Sequence, residues 1–325
     1  MDIIQAPQKR HARFHQSGTP YHIISKTAGG AFLLVPKPGI RELCAGVLAR
    51  AQKNYPGIKL YGYAFMSNHI HLIISGTSVS IADFMAFTKR EISRRIGVKY
   101  NLKGPKWEKP YVSTALPTPE SQDKCLKYIL SQGVKENLVA HPFHWPGLHC
   151  AKALSTGNAT QGQWFNATAY KKKKREQKLR LNPQKVKKAD YYESLSVELS
   201  VFSHWKSLSK ARVQARIDKF IDEIVAEAKH VRITTKTRIL GVKKVVQASI
   251  SQRVAAPNPP WWRERRRQIT AWANPNHSKT RDYLDLYYQF QKAFRLASTK
   301  LKNGLDAVFP RESWMPVRYF ASPSG

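Results

Sequence analysis

Two histidines separated by one residue, His69 and His71, lie in the run Asn68-His69-Ile70-His71-Leu72-Ile73-Ile74. The run reads as a β-strand, and side chains alternate between faces along a strand. Both imidazoles therefore point one way, and Ile70, Leu72 and Ile74 point the other. Neutral imidazole is a good ligand for divalent ions. One face offers a metal-binding floor, and the other offers a core. Downstream, Tyr128 and Gln132 stand four residues apart in Lys127-Tyr128-Ile129-Leu130-Ser131-Gln132. In a helix that spacing puts them on one face, while Leu126, Leu130 and Val134 form a separate stripe that can dock. A tyrosine hydroxyl is a weak nucleophile unless a metal or a basic group assists it. The Gln132 amide oxygen is a hard third ligand, suited to Mg²⁺ or Mn²⁺.

The elements that must position these side chains follow from periodicity. Tyr21 to Lys26 and Ala31 to Val35 read as extended, with Gly29-Gly30 between them as a turn. Pro38 to Asn54 carries a helical apolar stripe. Ile58 to Ser67 and His69 to Ser75 are adjacent β-rich runs. Ser80 reads as the N-cap of a helix from Ile81 to about Arg95. Trp107 to Leu116 reads as a strand, and a helix starting at Pro117-Thr118-Pro119-Glu120 runs to about Leu138. The order β-α-β-β-α-β-α predicts an α+β fold: a ferredoxin-like antiparallel sheet with helices on one face.

Beyond Pro146-Gly147 the composition changes. Leu154 to Gly162 is small and polar, a candidate linker. Lys171 to Lys188 holds 10 basic residues and one acid, Glu176. Glu198 to Phe202 reads as a short strand, and Leu208 to His230 and Tyr283 to Leu305 as helices. The expected organisation is a catalytic domain over 1–153, a basic linker or insert over 154–206 and a basic, mainly helical region over 207–325.

Composition narrows the partners. Lys and Arg number 55 against 21 for Asp and Glu, a formal net charge of +34. Such a surface suits a polyanion, nucleic acid first, because its phosphates release counterions to Lys and Arg. Cys44, Cys125 and Cys150 are too scattered for a disulfide framework or a cysteine zinc motif, which points to a reducing cytoplasm. No run is long and apolar enough for a membrane span. The expected location is cytoplasmic and nucleoid-associated.

The histidine motif, preceded by Tyr63-Ala64-Phe65-Met66-Ser67-Asn68, resembles the histidine-hydrophobic-histidine signature of HUH endonucleases. With Tyr-x-x-x-Gln at 128 and 132 and the following Gly133-Val134-Lys135-Glu136-Asn137-Leu138-Val139, residues 8 to 150 are similar to single-tyrosine HUH transposases of the insertion-sequence and REP-associated types. The resemblance implies single-strand DNA cleavage and rejoining on hairpin-containing DNA. Tyr128 would be the nucleophile that forms a 5′-phosphotyrosine, and His69, His71 and Gln132 would hold Mg²⁺ or Mn²⁺. A homodimer is left open.

Blander readings compete. An isolated H-x-H is weak as a motif, and a lone tyrosine is more often a packing residue. Charge runs are usually solvated faces. The cations expected to contact DNA are Lys89, Arg90, Arg94 and Arg95 on one helix, then Lys171, Lys172, Lys173 and Lys174, then Arg265, Arg266 and Arg267. Trp261, Trp262 and Trp272 are candidates for stacking on unpaired bases. His141, His144, His149 and Cys150 fit no common structural zinc spacing. The rival functions are a domesticated, non-catalytic nucleic-acid binder on the same fold and an RNA-associated basic protein.

Overall fold

The computed structural model describes residues 3–5, 12–108, 110–182, 184–253, 269–272, 274, 276–311 and 313. Its centre is a six-stranded sheet. Chain order runs β1 (Ile3–Gln5), β2 (Tyr21–Lys26), α1 (Ile40–Asn54), β3 (Lys59–Phe65), β4 (His69–Ser75), α2 (Ser78–Tyr100), β5 (Val112–Ala115) and α3 (Pro119–Leu130). There follow α4 (Ala151–Thr156), β6 (Thr160–Phe165), α5 (Ala167–Lys178), β7 (Tyr192–Val197), α6 (Lys210–Thr235), α7 (Val242–Gln247), β8 (Ile269–Trp272) and α8 (Ser278–Lys302). In space the large sheet runs β1-β8-β5-β2-β4-β3, and β6 and β7 form a separate hairpin. From β2 to α3 the expected β-α-β-β-α-β-α order is present.

Several boundaries differ from expectation, each for a local reason. The segment from Ala31 to Val35 makes no strand; only Ala31 bridges, to Arg253. Helix α2 starts earlier than expected because Thr77, not Ser80, caps it, its hydroxyl accepting from the Ser80 amide. Helix α3 ends at Leu130 rather than near Leu138. Gly133 and Asn137 adopt positive φ (85° and 56°), which a continuing right-handed helix cannot contain. The presumed linker at 154–162 instead closes α4 and opens β6, while the strand expected at Glu198–Phe202 lies earlier, at Tyr192–Val197.

Strand register explains which side chains meet. Strand β4 lies between β2 and β3, with Ile23 opposite Leu72, Ile24 opposite His71 and Ala64 opposite His71. Ile23, Tyr63, Ile70, Leu72 and Ile74 are fully buried on the face away from the imidazoles. Tyr63, on that side, donates its hydroxyl to Thr160 of β6 at 2.6 Å. The β6–β7 hairpin also packs on α1, through a glycine pair. A Cβ on Gly46 would lie 2.1 Å from the Gln163 carbonyl oxygen, and one on Gly162 would lie 2.1 Å from the Gly46 nitrogen. Helix α8 clamps the N-terminal segment: Gln291 accepts from the Ala12 amide at 3.0 Å and donates to its carbonyl at 2.7 Å. Phe14 packs among Tyr283, Tyr287 and Phe290 of that helix.

Helix α3 rests on the histidine face. Gly62 of β3 lies opposite Ile73, and a Cβ there would come within 2.9 Å of Leu126 Cδ1. The missing side chain lets α3 approach the sheet closely. Thr118 and Ser121 form a reciprocal capping box at its start, with Pro119 in the first turn. The apolar stripe of Leu126, Ile129 and Leu130 is buried, which turns Tyr128 toward the imidazoles. Among the described residues no helix is long and apolar enough to cross a membrane.

Candidate active site

The strand places His69 and His71 side by side, with ring centroids 4.7 Å apart and planes nearly perpendicular. From α3, the partly buried Tyr128 ring comes within 5.7 Å of the His71 ring. The residues predicted from local patterns on separate elements thus converge within one chain.

His71 is buried. Its Nδ1 lies 3.0 Å from Nε2 of His22, and its own Nε2 is buried with no hydrogen-bond partner among the described residues. The tautomer in which His71 Nδ1–H donates to His22 leaves the Nε2 lone pair free for a cation. A buried polar atom without a partner is costly, and this one lies on the face that Tyr128 approaches. His69 Nδ1–H donates to the Asn68 side-chain oxygen at 2.7 Å, which again leaves the other nitrogen as an acceptor.

All three rings are held neutral. Burial pushes His22 down to about 3, with the charges of Lys135 and His69 adding. Burial and then the charge of Lys26 push His69 down to about 4, and the neighbouring Gln132 side chain opposes the shift. Burial, helped by His22, His69 and the two lysines, holds His71 well below the usual imidazole range. Neutral rings are the ligating form.

Gln132 is buried, but it does not sit on the helix as the i, i+4 spacing suggested. It lies in the turn after α3. Its side chain lies beside His69, and its Nε2 donates to the Tyr128 carbonyl at 3.1 Å. Among the described residues, no group of three or more His, Cys, Asp and Glu is arranged to hold a metal. A site here therefore rests on two imidazoles and an amide oxygen. That mixed donor set fits Mn²⁺ or Mg²⁺, with remaining positions for water and phosphate oxygens.

Three neighbours were not assigned to this site from the sequence. His22 supports His71. Trp272 of β8, flagged only as a possible stacking residue, lies 5.6 Å from the Tyr128 ring and 6.0 Å from His22. Lys135 Nζ is 3.6 Å from the Tyr128 ring centroid and also pairs with Glu136. The alternation of Tyr21-His22-Ile23-Ile24 was a signal for His22, because Ile23 faces the core and its neighbour must face away.

The candidate DNA-contacting cations divide. Lys89 lies over Trp107 and Arg90 over Phe87. Arg94 and Arg95 share Glu91. Lys171, Lys172 and Lys174 are exposed on α5, and Lys173 pairs with Glu176. Arg265, Arg266, Arg267, Trp261 and Trp262 lie outside the described residues. His141 and His144 are neighbours, whereas His149 bonds the Ile129 carbonyl and Cys150 is buried.

Residues 16–132 match the protein family described as IS200-like transposase. Among solved structures, the chain is similar to a REP-associated tyrosine transposase bound to a REP hairpin. There the identity is 15%, over 46% of this chain and 86% of that one, with a TM-score of 0.38. It is also similar to a protein described as a transposase from Deinococcus radiodurans R1, at 20% identity over 38% of this chain and 98% of that one, with a TM-score of 0.27. No curated protein sequence matches it.

Proposed function

We propose that this chain, whose residues 16–132 match the IS200-like transposase family, nicks and rejoins single-stranded DNA using Tyr128 as nucleophile. The observation that carries the reading is the Tyr128 ring 5.7 Å from a buried imidazole whose Nε2 has no partner. His69, His71 and Gln132 would hold the divalent cation. Bound there, Mg²⁺ or Mn²⁺ would draw charge from a nonbridging phosphate oxygen.

The chain's own groups do the rest. Tyr128 Oη bonds to the scissile phosphorus as the P–O3′ bond breaks. The phenol proton leaves through solvent, and the departing 3′ oxygen takes one up. The product is a 5′-phosphotyrosine and a free 3′-hydroxyl, so the phosphodiester energy is retained for rejoining. Lys26 and Lys135, whose charges reach the imidazoles, stabilise negative charge accumulating on the phosphate. The turn that buries Gln132 ties Tyr128 and His69 together and fixes their spacing. The tyrosine and the imidazoles that meet in this site come from one chain.

A labelled DNA hairpin with single-stranded flanks, incubated with the protein and Mn²⁺, tests this. The expected product is a covalent adduct that survives denaturation and maps to Tyr128 by mass spectrometry. Undiminished cleavage by Tyr128→Phe would falsify the nucleophile assignment. Binding without any adduct would favour the domesticated, non-catalytic binder.

A further inference from the structure

The face of the domain opposite the imidazoles carries a groove of about 1190 Å³ that the catalytic reading does not use. Helix α2 supplies Arg94, Arg95 and Lys99 to its walls, α5 supplies Lys171 and Lys174, and the turn before β7 supplies Lys188. Among the described lining residues the one carboxylate is Glu42, and it pairs with Arg41. Glu91 offsets part of Arg94 and Arg95. Lys99, Lys171 and Lys174 meet no carboxylate among the described residues. The groove therefore holds a surplus of cations in a concave site, where a polyanion is attracted most strongly.

Aromatic rings are interleaved with this charge. Phe165 lies 5.5 Å from Tyr170 and 5.1 Å from Tyr192, and all three line the groove. Lys188 Nζ stands 4.9 Å above Phe165, and Arg95 stands 3.9 Å above the adjacent Trp164. Tyr192 remains 46% exposed, an aromatic face left open to solvent beside cations. A basic groove that tracks a backbone, with rings on which bases stack, is the arrangement that holds unpaired nucleic acid. The volume exceeds the ~300–1,000 Å³ of ordinary small-ligand pockets, so more than one nucleotide fits.

We propose that this groove binds an unpaired segment of the DNA strand flanking the cleavage site, with phosphates on Lys99, Lys171 and Lys174 and a base on Tyr192. The proposal rests on the chain being a DNA-processing enzyme, but Lys171, Lys174 and Tyr192 lie outside the matched segment 16–132, and the groove is on the far side of the sheet. The β6–β7 hairpin and α5 stand beside α1 and α2, so the basic face of α2 forms one wall of the groove.

Fluorescence anisotropy of labelled dT20 against the full chain tests it, with thermal melting as the folding control. Lys171→Gln/Lys174→Gln is expected to weaken binding about tenfold at 0.15 M salt. It should also reduce the slope of log K against log salt by about 1.4, the value for two lost phosphate contacts on a single strand. Tyr192→Ala is expected to weaken binding by about fivefold or more with the slope unchanged. Both variants should still form the Tyr128 adduct at saturating DNA. Wild-type affinity in both variants, no dT20 binding by the wild type, or tenfold preference for rU20 would each overturn the proposal. Intact dT20 binding without any adduct in the wild type would instead sink the catalytic reading and leave the groove standing.

Discussion

His22 Nε2 lies 3.0 Å from His71 Nδ1, across two neighbouring strands whose register sets His22 opposite Ile73. The contact fixes the ring that carries the unpartnered Nε2. Partners behind a metal-ligating histidine typically change metal affinity by ~10–100-fold when removed. His22→Phe keeps a ring of similar size and loses the nitrogen. Mn²⁺ titration by calorimetry should show that drop, and adduct formation should recover at high Mn²⁺. An unchanged Mn²⁺ affinity would remove His22 from the site.

Tyr128→Phe deletes only the hydroxyl proposed to attack. Adduct formation should fall by at least ~10³-fold, as expected when a nucleophile is lost, while the melting temperature stays within a few degrees. A chelator should abolish the wild-type adduct, with Mn²⁺ restoring it. Persistence of the adduct in excess chelator argues against a metal role for His69, His71 and Gln132.

Trp272 is partly exposed and stands edge-on to Tyr128 at 5.6 Å. In the proposed reaction it would stack on a base next to the scissile phosphate. Trp272→Ala should raise the DNA concentration needed for half-maximal adduct by ~5–10-fold, consistent with ~1 kcal/mol or more per stacked base. A fall in maximal rate alone, at unchanged half-saturation, would mean that Trp272 orients the His22 side instead.

Gly46→Ala would force a methyl group against backbone that cannot swing aside, 2.1 Å from the Gln163 carbonyl oxygen. The expected cost is on the order of 3 kcal/mol, with faster proteolysis within residues 157–200. An unaltered melting temperature and cleavage pattern would show that the hairpin does not depend on this contact.

Stability should fall in mild acid. Burial, with Arg13 adding, pushes His15 down to about 3. Burial pushes His149 down to about 4 against its bond to the Ile129 carbonyl. Unfolded histidine titrates near ~6.5. Between there and about 4 the unfolded chain takes up protons that the native state refuses, so lowering the pH favours unfolding. Each residue contributes up to ~1.4 kcal/mol per pH unit in that window and nothing above it. The metal-free site histidines act in the same direction. Urea midpoints should therefore be level from pH 8 to 7 and drop by pH 5; a level profile down to pH 5 would contradict the burial argument.

What the chain encodes locally was readable from it. The period of two in His69-Ile70-His71-Leu72 put both imidazoles on one face. The stripe of Leu126 and Leu130 left Tyr128 free to turn toward them. The order of elements from Tyr21 to Leu130 followed from the same alternation and capping rules. Helix α3 was read too long because Gly133 resembles any interior glycine until its backbone angle is known, and Gln132 therefore reached the site by a turn rather than by helical spacing.

Contacts that join distant segments needed the fold. The pairing of His22 with His71 depends on strand register, and a slip of one residue would send either ring to the opposite face. Trp272 arrives because β8 adds to the sheet beside β5, a long-range pairing with no short-range signature. The groove of Lys99, Lys171 and Tyr192 exists only where the Gly46–Gly162 contact seats the hairpin on α1. Periodicity tells a side chain which way to face; only the packed sheet and helices decide what it faces.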